Sequence, residues 1–346
     1  MPTLNTRVIA LCGIIAVLAL PSSAMAQSRT LTVSWWGFNG EKLDQFIVQP
    51  FKRKCGCEIV FETGNNADRL NKIKIRGGQG VDVAYFTDAY SQIGIKDGLF
   101  QPVDRAKVPN LAQAYELAQA PQGEFGPAYT IGRVGIIYDS AKVKTPITSW
   151  GDLWKPEFEG QLSLPNVTTT AGPMVVMIAG EHAGADAFAD PDAAFEALET
   201  LKPNVVKNYN TGSELVNLFS TGEITASIAQ DFTLGQIQAA VPTAVWADIS
   251  DGAVATLNTI NIPTGAAEAE LAHEFINFVL DPALQQTLAE NGVDAPVAKS
   301  VRLTPEQAKQ WTYGADMVAS LKRVDYEKMN AAKDGWIDRW NEVFGM

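Results

Sequence analysis

Apolar positions along the chain fall into two alternating patterns, short unbroken runs and longer stretches of helical period. "LTVSWW" (31–36), "EIVFET" (58–63) and "VDVAYFT" (81–87) are rich in β-branched and aromatic residues, as buried parallel strands are. Between the first two, "EKLDQFIVQPFKRK" sets Leu43, Phe46 and Ile47 on one helical face. Asp190-Pro191 opens a helix carrying Phe195, Leu198 and Leu201. Leu215, Leu218 and Phe219 mark another, which stops at Gly222, and "ITASIAQD" (224–231) reads as a strand. A helix from about Glu268 to Leu280 aligns Leu271, Phe275, Phe278 and Val279 and leaves His273 on its polar face. Asp281-Pro282 starts the next, and Thr304-Pro305-Glu306-Gln307 fits a capping box with Pro at the first helical position. The alternation predicts an α/β protein with largely parallel sheets. Ligands of such sheets bind beyond the carboxyl ends of strands, which are here "SWWGFNG", "YFTDAY" and "IAQDFT".

Residues 1–26 stand outside this pattern. Arg7, the apolar "VIALCGIIAVLAL" and Ala24-Met25-Ala26 follow the order of a cleavable signal peptide, which predicts an exported chain beginning at Gln27. No stretch is long enough to be a comfortable membrane span. The remaining length suits about two domains. A net charge of −12 argues against nucleic acid or an anionic membrane as partner. Once the leader is gone only Cys55 and Cys57 remain, in "KCGCE"; export favours a disulfide between them over two free thiols. They have too few ligands nearby for a metal site, and no metal or cofactor is predicted.

Catalytic chemistry finds little to stand on. The two histidines, His182 and His273, form no HExxH spacing, and no GxSxG elbow occurs. "RGGQG" (76–80) precedes a strand, whereas a dinucleotide fingerprint follows one. "LPNVTTTAGPM" (164–174) is more suggestive. It gathers Thr168, Thr169 and Thr170 at the start of an apolar helix, where they serve either as surplus caps or as an anion site. Strand-end aromatics (Trp35, Trp36, Phe38, Tyr85, Phe86, Tyr129) would suit an alkylamine, although strand alternation sends Trp35 and Trp36 to opposite faces, one of them into the core.

"SWGDLWKPEFEGQLSLP" (149–165) resembles the periplasmic solute-binding proteins of ABC importers, specifically the spermidine/putrescine-binding type. "LTVSWWGFNGEKLDQF", "VDVAYFTDAYSQIGIKDGLFQPVD", "PAYTIGRVGIIYDSAKV" and "INIPTGAAEAELAHEFINFVLDP" fall in the family's order, so the resemblance covers essentially the whole mature chain. It implies the two-lobed type II periplasmic binding fold, with the ligand cleft between lobes joined by hinge crossings. The implied boundaries are lobe 1 over 27–132 and 259–300, lobe 2 over 133–258, and C-terminal helices of 301–346 packing on lobe 2. It also implies a periplasmic monomer that delivers its ligand to an inner-membrane permease.

Carried over position by position, the family's site falls at Trp36, Phe38, Asn39, Thr87, Asp88, Arg133, Thr168, Thr169, Thr170, Gln230, Asp231, Asn258 and Tyr326. The polyamine binders' acidic pair lands on the threonines, and a small residue becomes Arg133. A ligand with several positive charges needs compensating anions. A carboxylate would instead suit Arg133 and the threonines, with Asp231, Asp88 or Asp325 taking an amine. Arg133 serves equally well in a surface or interlobe ion pair. The resulting expectation is a short zwitterion such as 4-aminobutyrate, with putrescine or spermidine as the alternative and an exported enzyme as a distant third. Ferric iron is disfavoured because that branch relies on adjacent tyrosines.

Overall fold

A computed structural model describes residues 1, 29–37 and 40–345. The signal-peptide segment, Phe38 and Asn39 lie outside the described residues. Ten strands form one sheet: β1 (Thr30–Trp35), β2 (Glu58–Thr63), β3 (Val83–Thr87), β4 (Phe100–Gln101), β5 (Ala128–Asp139), β6 (Leu162–Pro165), β7 (Val205–Tyr209), β8 (Ala226–Gln230), β9 (Ala244–Trp246) and β10 (Val254–Pro263). Their order is β2-β1-β3-β10-β5-β8-β6-β7, with β4 on β10 and β9 on β5. The strands β2, β1 and β3 run parallel, as do β8, β6 and β7. Between these triads, β10 pairs antiparallel with both β3 and β5, and β5 pairs antiparallel with β8. The sheet is therefore mixed where a largely parallel one was expected. Two long strands must traverse from one half to the other, and neighbours running out and back are antiparallel.

Those strands join two cores. Ala128, Tyr129 and Ile131 of β5 pack with Leu31, Val33, Phe51 and Phe275, whereas Val134, Ile136 and Tyr138 pack with Leu164, Phe195 and Trp340. On β10 only Val254 joins the second core, while Ala255, Leu257, Ile260 and Ile262 join the first. The change of core on β10 thus falls several residues before the expected 258/259 boundary, because β10 pairs with β3 over Asn258–Asn261.

The C-terminal expectation also needs correction. The helix Tyr326–Phe344 does pack on the second core through Met329, Trp336 and Trp340, but Val318 and Leu321 belong to the first. Between them the chain lies against the crossing strands: Lys322 N donates to Ala253 O (2.9 Å), and Ala255 N donates to Lys322 O (2.8 Å). His273 is buried rather than on a polar face. Its Nε2 accepts from Asp104 N at 3.0 Å, and its Nδ1 lies 2.7 Å from Ala269 O. Cys55 and Cys57 are bonded to each other around Gly56, whose φ of 62° provides the left-handed turn that ends the helix Gln49–Cys55.

Candidate functional site: a two-chambered cleft at the strand ends

β1, β3 and β8 end at Trp35, Thr87 and Gln230, all on the margin of one cleft. Two cavities occupy it, an inner one of about 440 Å³ and an outer one of about 500 Å³. They share Asn66, Thr87, Thr170, Gln230 and Phe232. Phe232 is 55% exposed, an unusual state for a phenylalanine, and it lines both chambers.

The inner chamber is aromatic and acidic. Trp36, Tyr85 and Tyr129 form part of its wall, with Tyr85 and Tyr129 meeting edge to face at 4.9 Å between ring centres. Trp36 is held from behind: its Nε1 donates to Asn66 Oδ1 at 2.9 Å, and the buried Arg69 guanidinium lies 5.0 Å from its ring. Arg69 itself donates to the carbonyls of Gly64 and Tyr85, and burial lowers its pKa to about 10. Trp35 is the core tryptophan of the pair, while Phe86 packs away from the cleft on Phe100.

Three carboxylates line this chamber, Asp88, Asp231 and Asp294, with no Lys, Arg or His among the described lining residues. Asp88 is the most buried; it accepts from Leu257 N and Ala89 N, both at 3.0 Å. Burial outweighs these bonds and raises its pKa to about 7. Asp231 Oδ2 accepts from Thr312 Oγ1 (2.5 Å) and Arg133 N (3.2 Å), and burial again wins, raising its pKa to about 6. Its other oxygen approaches β5 so closely that a Cβ on Gly132 would lie 2.9 Å from it. Asp294 makes no hydrogen bond or ion pair among the described residues, and burial lifts its pKa to about 7.

Not every expected residue reaches the cleft. Trp36, Thr87, Asp88, Gln230, Asp231 and Asn258 line the inner chamber, and Thr168, Thr169 and Thr170 line the outer, Thr170 both. Arg133 does not. Strand alternation turns Gly132 toward the cavity and Arg133 away from it. The guanidinium instead lies 4.7 Å from the Trp246 ring and 2.7 Å from Met317 Sδ. The expectation that Arg133 receives a ligand carboxylate is corrected accordingly. Tyr326 is also displaced, into a small void of about 50 Å³ behind Asp88. Its hydroxyl influences Asp88 without reaching hydrogen-bond geometry. Asp325 caps its helix by accepting from Lys328 N (3.1 Å).

The threonines divide their work. Thr169 Oγ1 accepts from Gly172 N (3.1 Å) and donates to Asn166 O (2.8 Å), while Thr168 Oγ1 donates to Asn166 Oδ1 (2.8 Å). Gly172 is required here, since a Cβ would sit 2.0 Å from Asn166 O. These two hydroxyls therefore fasten the start of the helix Gly172–His182, and Thr170 is left facing both chambers. Sequence reasoning missed Asn66, Phe232 and Asp294. Phe232 had a signal, its place directly after a strand-end Gln-Asp. Asn66 and Asp294 had none, because tertiary packing brings them to the cleft.

Among the described residues no group of three or more His, Cys, Asp or Glu could hold a metal ion, and no helix is long and apolar enough to cross a membrane. Residues 47–315 match the family of bacterial extracellular solute-binding proteins. The chain is 39% identical to a crystal structure of an ABC transporter from Clostridium perfringens, covering 91% of this chain and 99% of that one with a TM-score of 0.85. It is 26% identical to the spermidine/putrescine-binding periplasmic protein of Salmonella typhimurium over 302 residues, 84% of this chain and 85% of the relative. It is 27% identical to the gamma-aminobutyric acid-binding protein of Pseudomonas aeruginosa over 305 residues, 85% and 84% of the two chains. With a type II periplasmic binding fold and a cleft at its strand ends, the chain belongs to the bacterial extracellular solute-binding proteins, a family of binders rather than enzymes.

Proposed function

We propose that this protein captures a small amine-bearing solute in the periplasm and presents it to an ABC permease of the inner membrane. The observation that carries the reading is the charge of the inner chamber: three carboxylates, an aromatic wall and no basic side chain among the described lining residues. An ammonium group leaving water needs a compensating anion and gains from aromatic faces, and the methylenes beside it gain from apolar burial. A ligand with more than one ammonium, of the putrescine or spermidine class, suits this lining best. The name of the Salmonella relative agrees with it.

A zwitterion of the 4-aminobutyrate class is the second reading, and the outer chamber favours it. Lys333 and Thr168–Thr170 line that chamber. With Arg133 turned away, they are what a carboxylate would meet if the amine pointed inward. In both cases the lobes close over the ligand by bending along β5 and β10, a population shift that a permease can read.

A thermal-shift and calorimetry panel of putrescine, spermidine, 4-aminobutyrate and butyrate tests the proposal. A cognate amine at about 100 times its dissociation constant adds roughly 2.7 kcal/mol to stability. Tightest binding by a diamine supports the first reading, and tightest binding by 4-aminobutyrate the second. Binding of butyrate alone, or of none of the four, rejects an amine site.

A further inference from the structure

We infer that Asp294 is an ammonium-binding residue of the inner chamber, holding a ligand's primary amine against Tyr85 and Tyr129. The inference rests on the amine reading above and adds to it a residue that neither the motifs nor strand-end geometry had pointed to.

The loop that carries Asp294 is fixed on both sides. At its start, the helix Pro282–Glu290 closes with Gly292 at φ 67°, Gly292 N donating to Ala289 O (3.3 Å) and Val293 N to Leu288 O (2.9 Å). At its end, Val297 N donates to Oε1 of Gln285 at 2.8 Å. Gln285 is 1% exposed, and its Nε2 donates to Tyr129 O (3.2 Å) and Val279 O (2.9 Å). One buried amide thus ties the Asp294 loop to the strand that carries Tyr129. A carboxylate set on so firm a mount is preorganised, and its ligand has little ordering entropy to supply.

Nothing among the described residues neutralises it. Lys42 reaches the same loop but spends its ammonium on the carbonyls of Asn291 (2.7 Å) and Gly292 (3.3 Å). Tyr85 is 2% exposed and its hydroxyl has no hydrogen-bond partner among the described residues, so a second unpaired polar group stands in the same wall. Asp294 acts electrostatically on both phenols, whose pKa values burial drives well above 10, so they remain neutral. An unpaired carboxylate, an unpaired phenol and two ring edges in one wall are complementary to an N–H-rich cation on an alkyl chain. A metal ion would find too few anionic ligands there.

The test uses the full mature chain and four probes: 1,4-diaminobutane, spermidine, n-butylamine and 4-aminobutyrate. Calorimetry on wild type, Asp294→Asn and Asp294→Glu gives the affinities, and ligand-free melting gives the fold. The expected result is a loss of about 10- to 100-fold for Asp294→Asn with every probe that wild type binds, as removal of a charge-assisted hydrogen bond implies. Asp294→Glu should recover part of the loss, and ligand-free Asp294→Asn should melt no lower than wild type. If wild type binds a probe and Asp294→Asn binds it within about twofold, the anchor is refuted while the amine reading stands. If Asp294→Asn melts well below wild type, the carboxylate has a structural partner and the inference fails. If wild type binds none of the probes, the amine reading itself falls and takes Asp294 with it.

Discussion

Asp294 should make the ligand-free protein less stable than it could be, and by an amount that depends on pH. Burial raises its pKa from 3.8 to about 7, so the folded chain holds this proton more tightly than the unfolded chain does. Stability from this group is therefore fully present below about pH 4 and is lost as pH rises toward 7. At about 1.4 kcal/mol per pH unit, the rise caps the penalty near 4 kcal/mol. Asp294 is only partly buried and the cavity is open to water, which reduces the figure to roughly 1–2 kcal/mol. Asp294→Asn keeps the shape and removes the charge. Urea unfolding at pH 8 should show the variant more stable by that amount, and at pH 4 the two should coincide. A variant less stable than wild type at pH 8, or an advantage that does not shrink on acidification, would refute the reasoning. The same substitution that strengthens the fold should weaken the binding, the trade-off expected where a site holds unsatisfied charge.

Other expectations follow from the same geometry. Arg133→Ala should change amine affinity less than about threefold while costing roughly 1–3 kcal/mol of stability, because the side chain packs on Trp246 outside the cavity; a large affinity loss with an unchanged fold would return it to the site. Intact mass under denaturing, non-reducing conditions should be two hydrogens lighter than after reduction, from Cys55–Cys57; labelling of both thiols without reductant would contradict the bond. Solution scattering should give a smaller radius of gyration with saturating ligand than without, and an unchanged radius would count against closure along β5 and β10.

The sequence was legible where chemistry follows locally from the strand pattern. The runs at 31–36, 58–63 and 81–87 become β1–β3, and the strand-end rule put Thr87, Asp88, Gln230 and Asp231 on the cavity wall. The carry-over from the family resemblance fails by a single residue at Arg133. On an extended strand one position decides between cavity and far side, and Gly132 holds the inward place. Asp294 was illegible for a different reason. "NGVDAPV" is an ordinary helix exit, and what makes its aspartate a cavity residue is a buried glutamine bonded to another strand. The threonine run was readable as a helix start, but which hydroxyl is free depends on Asn166 and Gly172 being pressed together.

The first core has a consequence for how the chain folds. Its members run from Leu31 through Phe51, Tyr85 and Ile131 to Ile260, Phe275, Val297 and finally Leu321. The second core takes its material from the interval between, Val134 to Val254, and from the last helix. A chain emerging from its N-terminus can therefore bury most of the second core's β-strand face before the first core's members from Ala253 to Leu321 have been made. The first must wait for residues beyond 250 and close a loop around an already compact body, a step of high contact order and slow rate. The half of the molecule that contributes Trp36, Tyr85 and Asp294 thus depends on closing a long loop, and the cleft it walls depends on that step as well.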